Sequence, residues 1–198
     1  RNALMGAEAF AAFIEEALFA TMTNVNFSVD SLMKMVLECG RMNLRTMQLL
    51  NDGHIEQLGK PVPVPVDHGI KPGPGILITG HDLLDLKNLL EQTAGKGINV
   101  YTHGEMLPGH MYSGLRAYPH FAGHFGGPWQ NQRTDFENFG GPILVTTNCV
   151  IIPRALNTYL DRLYTLRNTG VPGAKAIDDR DFTPVIEHAL RIGSLDPT

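Results

Sequence analysis

Gly75-Ile76-Leu77-Ile78-Thr79, Asp82-Leu83-Leu84-Asp85-Leu86-Lys87-Asn88-Leu89-Leu90-Glu91-Gln92 and Ile98-Asn99-Val100-Tyr101-Thr102 follow one another along the chain. The first is a short, wholly apolar run closed by threonine, the pattern of a strand buried on both faces. The second is amphipathic at helical spacing. Asp82 stands where the helix dipole favours a negative charge, and Gly95 can close the far end. The third is a second strand. Pro142-Ile143-Leu144-Val145-Thr146-Thr147 is a third, beyond a segment rich in glycine, histidine and aromatic residues and a short helix near 130–139. Strand, helix, strand, helix, strand predicts an α/β domain on a parallel sheet.

Working outward, a helix is expected over 155–163, a loop at 170–173, and a closing helix over Thr183–Ile192 with Pro184 in its first turn. Toward the N-terminus, residues 1–50 are helical in pattern. Phe10, Phe13, Ile14, Ala17 and Leu18 repeat at three-to-four spacing, and Leu32, Met35, Val36, Cys39 and Met42 mark a second face. The polar stretch 21–30 separates the two helices, with Asp30 or Ser31 as the expected cap. Residues 51–74 read as a connector: Asn51-Asp52-Gly53 is a turn signal, and Pro61, Pro63 and Pro65 alternate with valines. The expected division is therefore 1–50 helical, 51–74 connector and 75–198 α/β.

Composition excludes several classes of function. Of the 198 residues, 43% are hydrophobic and 18% charged, enough to bury a core. Lys+Arg 16 against Asp+Glu 20 gives −4, and there is no basic run, so nucleic acid is not an expected partner. No stretch approaches the length of a membrane span, so no membrane partner is expected. Two cysteines, Cys39 and Cys149, rule out a disulfide scaffold and suit a reducing, cytoplasmic compartment. The opening at Arg1, on residues that lead into a helix, is the pattern expected of a piece of a longer polypeptide.

In an open parallel sheet, ligands gather beyond the carboxyl ends of the strands. The first strand is followed by Gly80-His81-Asp82, the second by His103-Gly104-Glu105, the third by Asn148-Cys149. An imidazole, a carboxylate and a thiol are thus delivered to one rim. Each has an ordinary alternative: a helix-entry histidine, a solvated glutamate, an inert buried thiol. Together, His81, Glu105 and Cys149 offer nitrogen, oxygen and sulfur donors compatible with zinc or iron. Other motifs carry less. There is no GxxxxGK[ST], Gly73 precedes the strand and Gly75 opens it where a dinucleotide fingerprint needs its glycines after it, and the HxE of His103 and Glu105 lacks the PCxxC of zinc deaminases. A zinc hydrolase using His81, Glu105 and a loop histidine, and a non-catalytic α/β module, remain the alternatives.

The strand-end segments Ile78-Thr79-Gly80-His81-Asp82-Leu83, Val100-Tyr101-Thr102-His103-Gly104-Glu105-Met106-Leu107-Pro108 and Thr146-Thr147-Asn148-Cys149 resemble the hybrid cluster (prismane) proteins, also known as hydroxylamine reductases. Thr23-Asn24-Val25-Asn26-Phe27, Asn43-Leu44, Leu89-Leu90-Glu91-Gln92-Thr93, Gly126-Gly127-Pro128-Trp129-Gln130 and Phe182-Thr183-Pro184-Val185-Ile186-Glu187 extend the resemblance over nearly the whole chain. Two positions depart from the family pattern: Ala176 where a histidine is expected, and a leucine in Leu160-Asp161-Arg162 where a lysine is usual.

The resemblance implies a Rossmann-like α/β domain preceded by the end of a helical domain. It implies a hybrid [4Fe-2S-2O] cluster with His81, Glu105 and Cys149 among its iron ligands. The remaining ligands, further cysteines, a glutamate and a lysine, would lie beyond Thr198, and the cysteines of a cubane-type cluster, 4Fe-4S, before Arg1. It also implies reduction of a small N–O substrate, hydroxylamine or nitric oxide, with electrons from a partner reductase. The isolated chain would be inactive. A partner on the other ring nitrogen of His81 is expected, Asp82 or a backbone carbonyl, with His103 and Asn148 flanking the ligands.

Overall fold

A computed structural model describes residues 2–22, 24–166 and 169–197; Thr23, quoted above, lies outside them. The chain divides into two compact units, Arg1–Glu56 and Gln57–Thr198.

The first unit is helical: α1 (Asn2–Ala20) and most of α2 (Val29–Leu58). Between them the backbone is captured by side chains. Thr21 Oγ1 donates to Leu18 O at 2.7 Å, and Ser28 N donates to Asn26 Oδ1 at 3.0 Å. Ser28, not Asp30 or Ser31, caps α2, accepting from Ser31 N at 3.3 Å. The turn expected at Asn51-Asp52-Gly53 does not form. Good helix formers beyond the immediate neighbours, Gln48-Leu49-Leu50 on one side and Glu56-Gln57-Leu58 on the other, carry α2 through Gly53, whose cost of about 1 kcal/mol is spread over a long helix. The helix stops instead at Gly59, at φ +85, two residues before Pro61. Of the expected faces, Leu32, Met35 and Met42 are half-buried, whereas Val36 and Cys39 are exposed. The buried stripe on α2 is therefore narrower than the one read from the sequence.

The second unit is a three-layer α/β fold. Six parallel strands stand in the order β3-β2-β1-β4-β5-β6: β1 (Gly75–Thr79), β2 (Asn99–His103), β3 (Phe121–His124), β4 (Ile143–Val145), β5 (Leu163–Leu166) and β6 (Lys175–Ile177). This is the doubly wound, Rossmann-like order, whose direction of winding reverses between β1 and β4. The helices are α3 (Leu83–Thr93), α4 (Ser113–Arg116), α5 (Gln132–Phe139) and α6 (Thr183–Ile192), with a 3-10 helix over Gly104–Met111 after β2. Alternation along β1 divides the core. Ile76 and Ile78 pack with Leu86, Leu89 and Leu90 of α3 and Val185 and Ile186 of α6. Leu77 packs on the opposite face with Phe136 and Phe139 of α5 and Tyr159. A fully buried leucine or phenylalanine contributes about 1.5–3 kcal/mol, so these two clusters hold the sheet.

Three strands escape the pattern reading. β3 and β6 are short and lie at the sheet's two edges, and Gly123 and Lys175 interrupt any apolar run. β5 is hidden by the helix expected over 155–163, which does not form. Asn157 Oδ1 accepts from Tyr159 N at 3.2 Å and Leu160 N at 2.8 Å, turning the backbone so that only a single 3-10 turn, Leu160–Arg162, follows. Among the described residues no helix is long and apolar enough to cross a membrane.

Candidate metal centre

The register brings three carboxyl ends level: Thr79 lies opposite His103 on one side and Val145 on the other. The chain therefore leaves β1, β2 and β4 at the same height, beside the point where the winding reverses.

After β1 the backbone turns at Gly80, φ +115. A Cβ there would collide with Thr146 Oγ1 and lie 2.8 Å from Thr147 N, so only glycine lets β1 and the loop after β4 run this close. His81 follows. Its backbone N donates to Thr147 Oγ1 at 2.9 Å, and its Nδ1 lies 3.3 Å from the same oxygen. Thr147, rather than Asp82, is thus the group beside the far ring nitrogen. With Nδ1 protonated, Nε2 is left as the free donor. Asp82 caps α3, accepting from Leu84 N at 2.9 Å and Asp85 N at 3.1 Å, and its Oδ2 sits 3.6 Å from Arg180 Nη2. Arg180 Nε also meets buried Asp85 at 2.5 Å, tying the loop before α6 to the first turn of α3.

Glu105 enters from the first turn of the 3-10 helix after β2, and Cys149 from the loop after β4. His81 Nε2 is in contact with Glu105 Oε2, and Cys149 Sγ is 3.7 Å from each of these atoms. The three donor atoms lie within 4.8 Å of one another. Metal–ligand bonds of about 2.0–2.3 Å place two ligands of one ion no more than about 4.6 Å apart, and the sulfur separations of 3.7 Å fall inside that limit, so the spacing suits a metal centre. Burial, then the neighbouring Glu105 carboxylate, push the Cys149 thiol pKa up. A bound cation reverses that balance, because it is the thiolate that coordinates.

The donor set fits iron: a soft sulfur beside harder nitrogen and oxygen. His81 and Glu105 are both well exposed, so the chain supplies one side of a site and leaves coordination positions open to further donors. Cys39 is exposed on α2 and Cys149 stands in the loop after β4.

His103 does not share this exposure. It is fully buried, with Nε2 3.0 Å from Asp135 Oδ2, Nδ1 3.2 Å from Thr79 Oγ1 and its ring edge-on to Phe136. Burial lowers its pKa against the opposing pull of Asp135. His110 Nε2 and His124 Nδ1 converge on Thr102 Oγ1 at 2.8 and 2.9 Å, and His120 Nε2 meets Thr93 Oγ1 at 2.9 Å. Among the described residues no loop histidine joins the three donors, which removes the third ligand that a zinc hydrolase reading needs. Asn148 lines a cleft of ≈ 620 Å³ with Trp129, Thr146, Thr147, Cys149 and Thr169.

Sequence reasoning missed Thr147, Gln132 and Arg180. Gln132 carried a legible signal: it shares a helix face with Phe136 and Phe139 at positions i, i+4 and i+7, where a polar residue is out of place unless it bonds something buried. Arg180 had none, since its partners lie on α3 far along the chain.

A family model described as Prismane/CO dehydrogenase matches residues 5–196. Three similar proteins carry the name hydroxylamine reductase. That of Moorella thermoacetica is 54% identical over 185 residues, 93% of this chain and 43% of the relative. That of Methanothermobacter thermautotrophicus is 47% identical over 184 residues, 93% of this chain and 43% of the relative. That of Thermodesulfovibrio yellowstonii is 52% identical over 181 residues, 91% of this chain and 33% of the relative. The chain thus spans less than half the length of the relatives it matches.

Proposed function

The chain belongs to the Prismane/CO dehydrogenase family, and from that premise we propose that it forms part of an iron–sulfur oxidoreductase in which His81, Glu105 and Cys149 bind iron of a hybrid [4Fe-2S-2O] cluster. The reaction is reduction of a small N–O compound. For hydroxylamine, two electrons and two protons cleave the N–O bond and release ammonia and water; nitric oxide is the second candidate substrate. A cubane-type cluster, 4Fe-4S, would be held by residues outside this chain and would supply the path for electrons from a partner reductase.

The cluster, when bound, supplies the electrons and a Lewis-acidic iron. This chain's residues have simpler tasks. Thr147 accepts from His81 N and lies beside Nδ1, which orients the ring and leaves Nε2 as donor. Asp82 fixes the start of α3 and with it the turn carrying His81. The cleft beside Cys149 has room for a small polar substrate. The remaining thiolates of an iron–sulfur centre must come from other residues, so the 198-residue chain alone is expected not to reduce hydroxylamine.

One observation carries this reading: nitrogen, oxygen and sulfur donors from three strand ends, within 4.8 Å of one another, where the sheet's winding reverses. The test is Glu105→Gln in the longer protein that contains this chain. The hybrid-cluster electron paramagnetic resonance signal and hydroxylamine turnover should each fall about 10-fold or more, while the cubane signal persists. An unaltered hybrid signal overturns the assignment.

A further inference from the structure

Cys149 sits on unusual backbone. Both Asn148 (φ 32) and Cys149 (φ 27) lie in the left-handed region, which favours glycine. Such a pair persists only where its surroundings hold it. The holder is visible. Gln132, 1% exposed at the start of α5, donates from Nε2 to Cys149 O and accepts from Ile151 N at Oε1, 2.9 Å. A carbonyl only accepts and an N–H only donates, so the amide's orientation is fixed by its two partners. Gln132 thus does for residues 149–151 what a neighbouring strand would do. Its own helix is anchored by Phe136 and Phe139 in the core.

We propose that Gln132 is a positioning residue that holds the Cys149 backbone so that Sγ points at His81 Nε2 and Glu105 Oε2. Rotation about φ of Cys149 swings its Cβ–Sγ bond, so releasing the clamp moves the sulfur away from the other two donors. The proposal rests on reading those three side chains as metal ligands.

The test uses the full 198-residue chain with Cys39→Ser, titrated with Co²⁺ alone and followed by the sulfur-to-cobalt charge-transfer band. The parent should show the band, and Cys149→Ser should abolish it. Gln132→Met keeps the side chain's bulk and removes both hydrogen bonds. It should bind Co²⁺ at least 10-fold more weakly with the band largely lost, while its circular dichroism is unchanged. A merely structural glutamine would lower the melting temperature and leave the band and affinity intact, and that result overturns the proposal. Where Gln132→Met does not fold, Gln132→Glu is read in the same way, since it keeps the bond to Ile151 and sets an oxygen against Cys149 O. Absence of a Cys149-dependent band in the parent would instead defeat the ligand reading itself. The clamp is also read directly in the metal-free parent by exchange of the Gln132 side-chain amide protons. Slow exchange supports it; exchange at the free-amide rate overturns it.

Discussion

Single residues at this rim are held to narrow tolerances, and Gly80 shows it most directly. Its φ of +115 is strained for any side chain, and a Cβ there would strike Thr146 and approach Thr147 N. Gly80→Ala should destabilise the chain by about 2 kcal/mol or more, seen as a lower urea midpoint, because strain and overpacking act together. A midpoint within error of the parent would mean that the loop after β4 can yield. His81, Glu105 and Cys149 are legible because each follows an apolar strand within four residues, so the position of the strand end sets the position of the donor. Gln132 and Thr147 were harder to see, because their task is defined by a backbone brought near only by folding. Asn148 and Cys149 are ordinary residues in the sequence; their left-handed conformations arise from the contacts around them.

At the scale of elements, β2, β3 and the 3-10 helix between them carry a buried imidazole group. His110 and His124 meet at Thr102 Oγ1, His68 lies edge-on to His124, and His103 stacks on His124 with ring centroids 6.4 Å apart. Burial lowers both His110 and His124 from 6.5 to about 4, with neighbouring imidazoles adding to the effect at His124 and Asp135 opposing it. Both folded values lie below the unfolded one. Their contribution is therefore complete above about pH 6.5 and is lost as pH falls toward 4. Each uncharged imidazole should account for roughly 1 kcal/mol per pH unit within that window. Urea midpoints between pH 7 and 4.5 should fall steeply in the parent and less steeply in His124→Gln; equal slopes would show that His124 is not held neutral. Long elements with one periodicity, α3 and α6, were read almost to the residue. Short edge strands and the turn around Asn157 were not, because three or four residues carry too little pattern to outweigh a glycine, a lysine or an asparagine.

For the whole molecule, the division at Glu56 has a consequence for folding. Every residue of the two apolar clusters lies between Leu58 and Leu195. In the first unit Leu18, Phe19, Val36, Leu37, Leu44, Met47 and Leu50 are exposed. Residues 57–198 expressed alone should therefore melt in a single cooperative transition, whereas residues 1–56 alone should lose helical signal gradually and bind a hydrophobic dye. A broad, non-cooperative melt of residues 57–198 would contradict the self-contained core.

The level strand ends have one last implication, for assembly. Donors 24 and 44 residues apart in sequence meet only when β1 has found both β2 and β4. An ion offered to the nascent polypeptide meets one lone side chain at a time and has nothing to grip. On the proposed ligand assignment, iron would be installed into a receptacle already shaped by its hydrocarbon interior, so metal loading would follow folding.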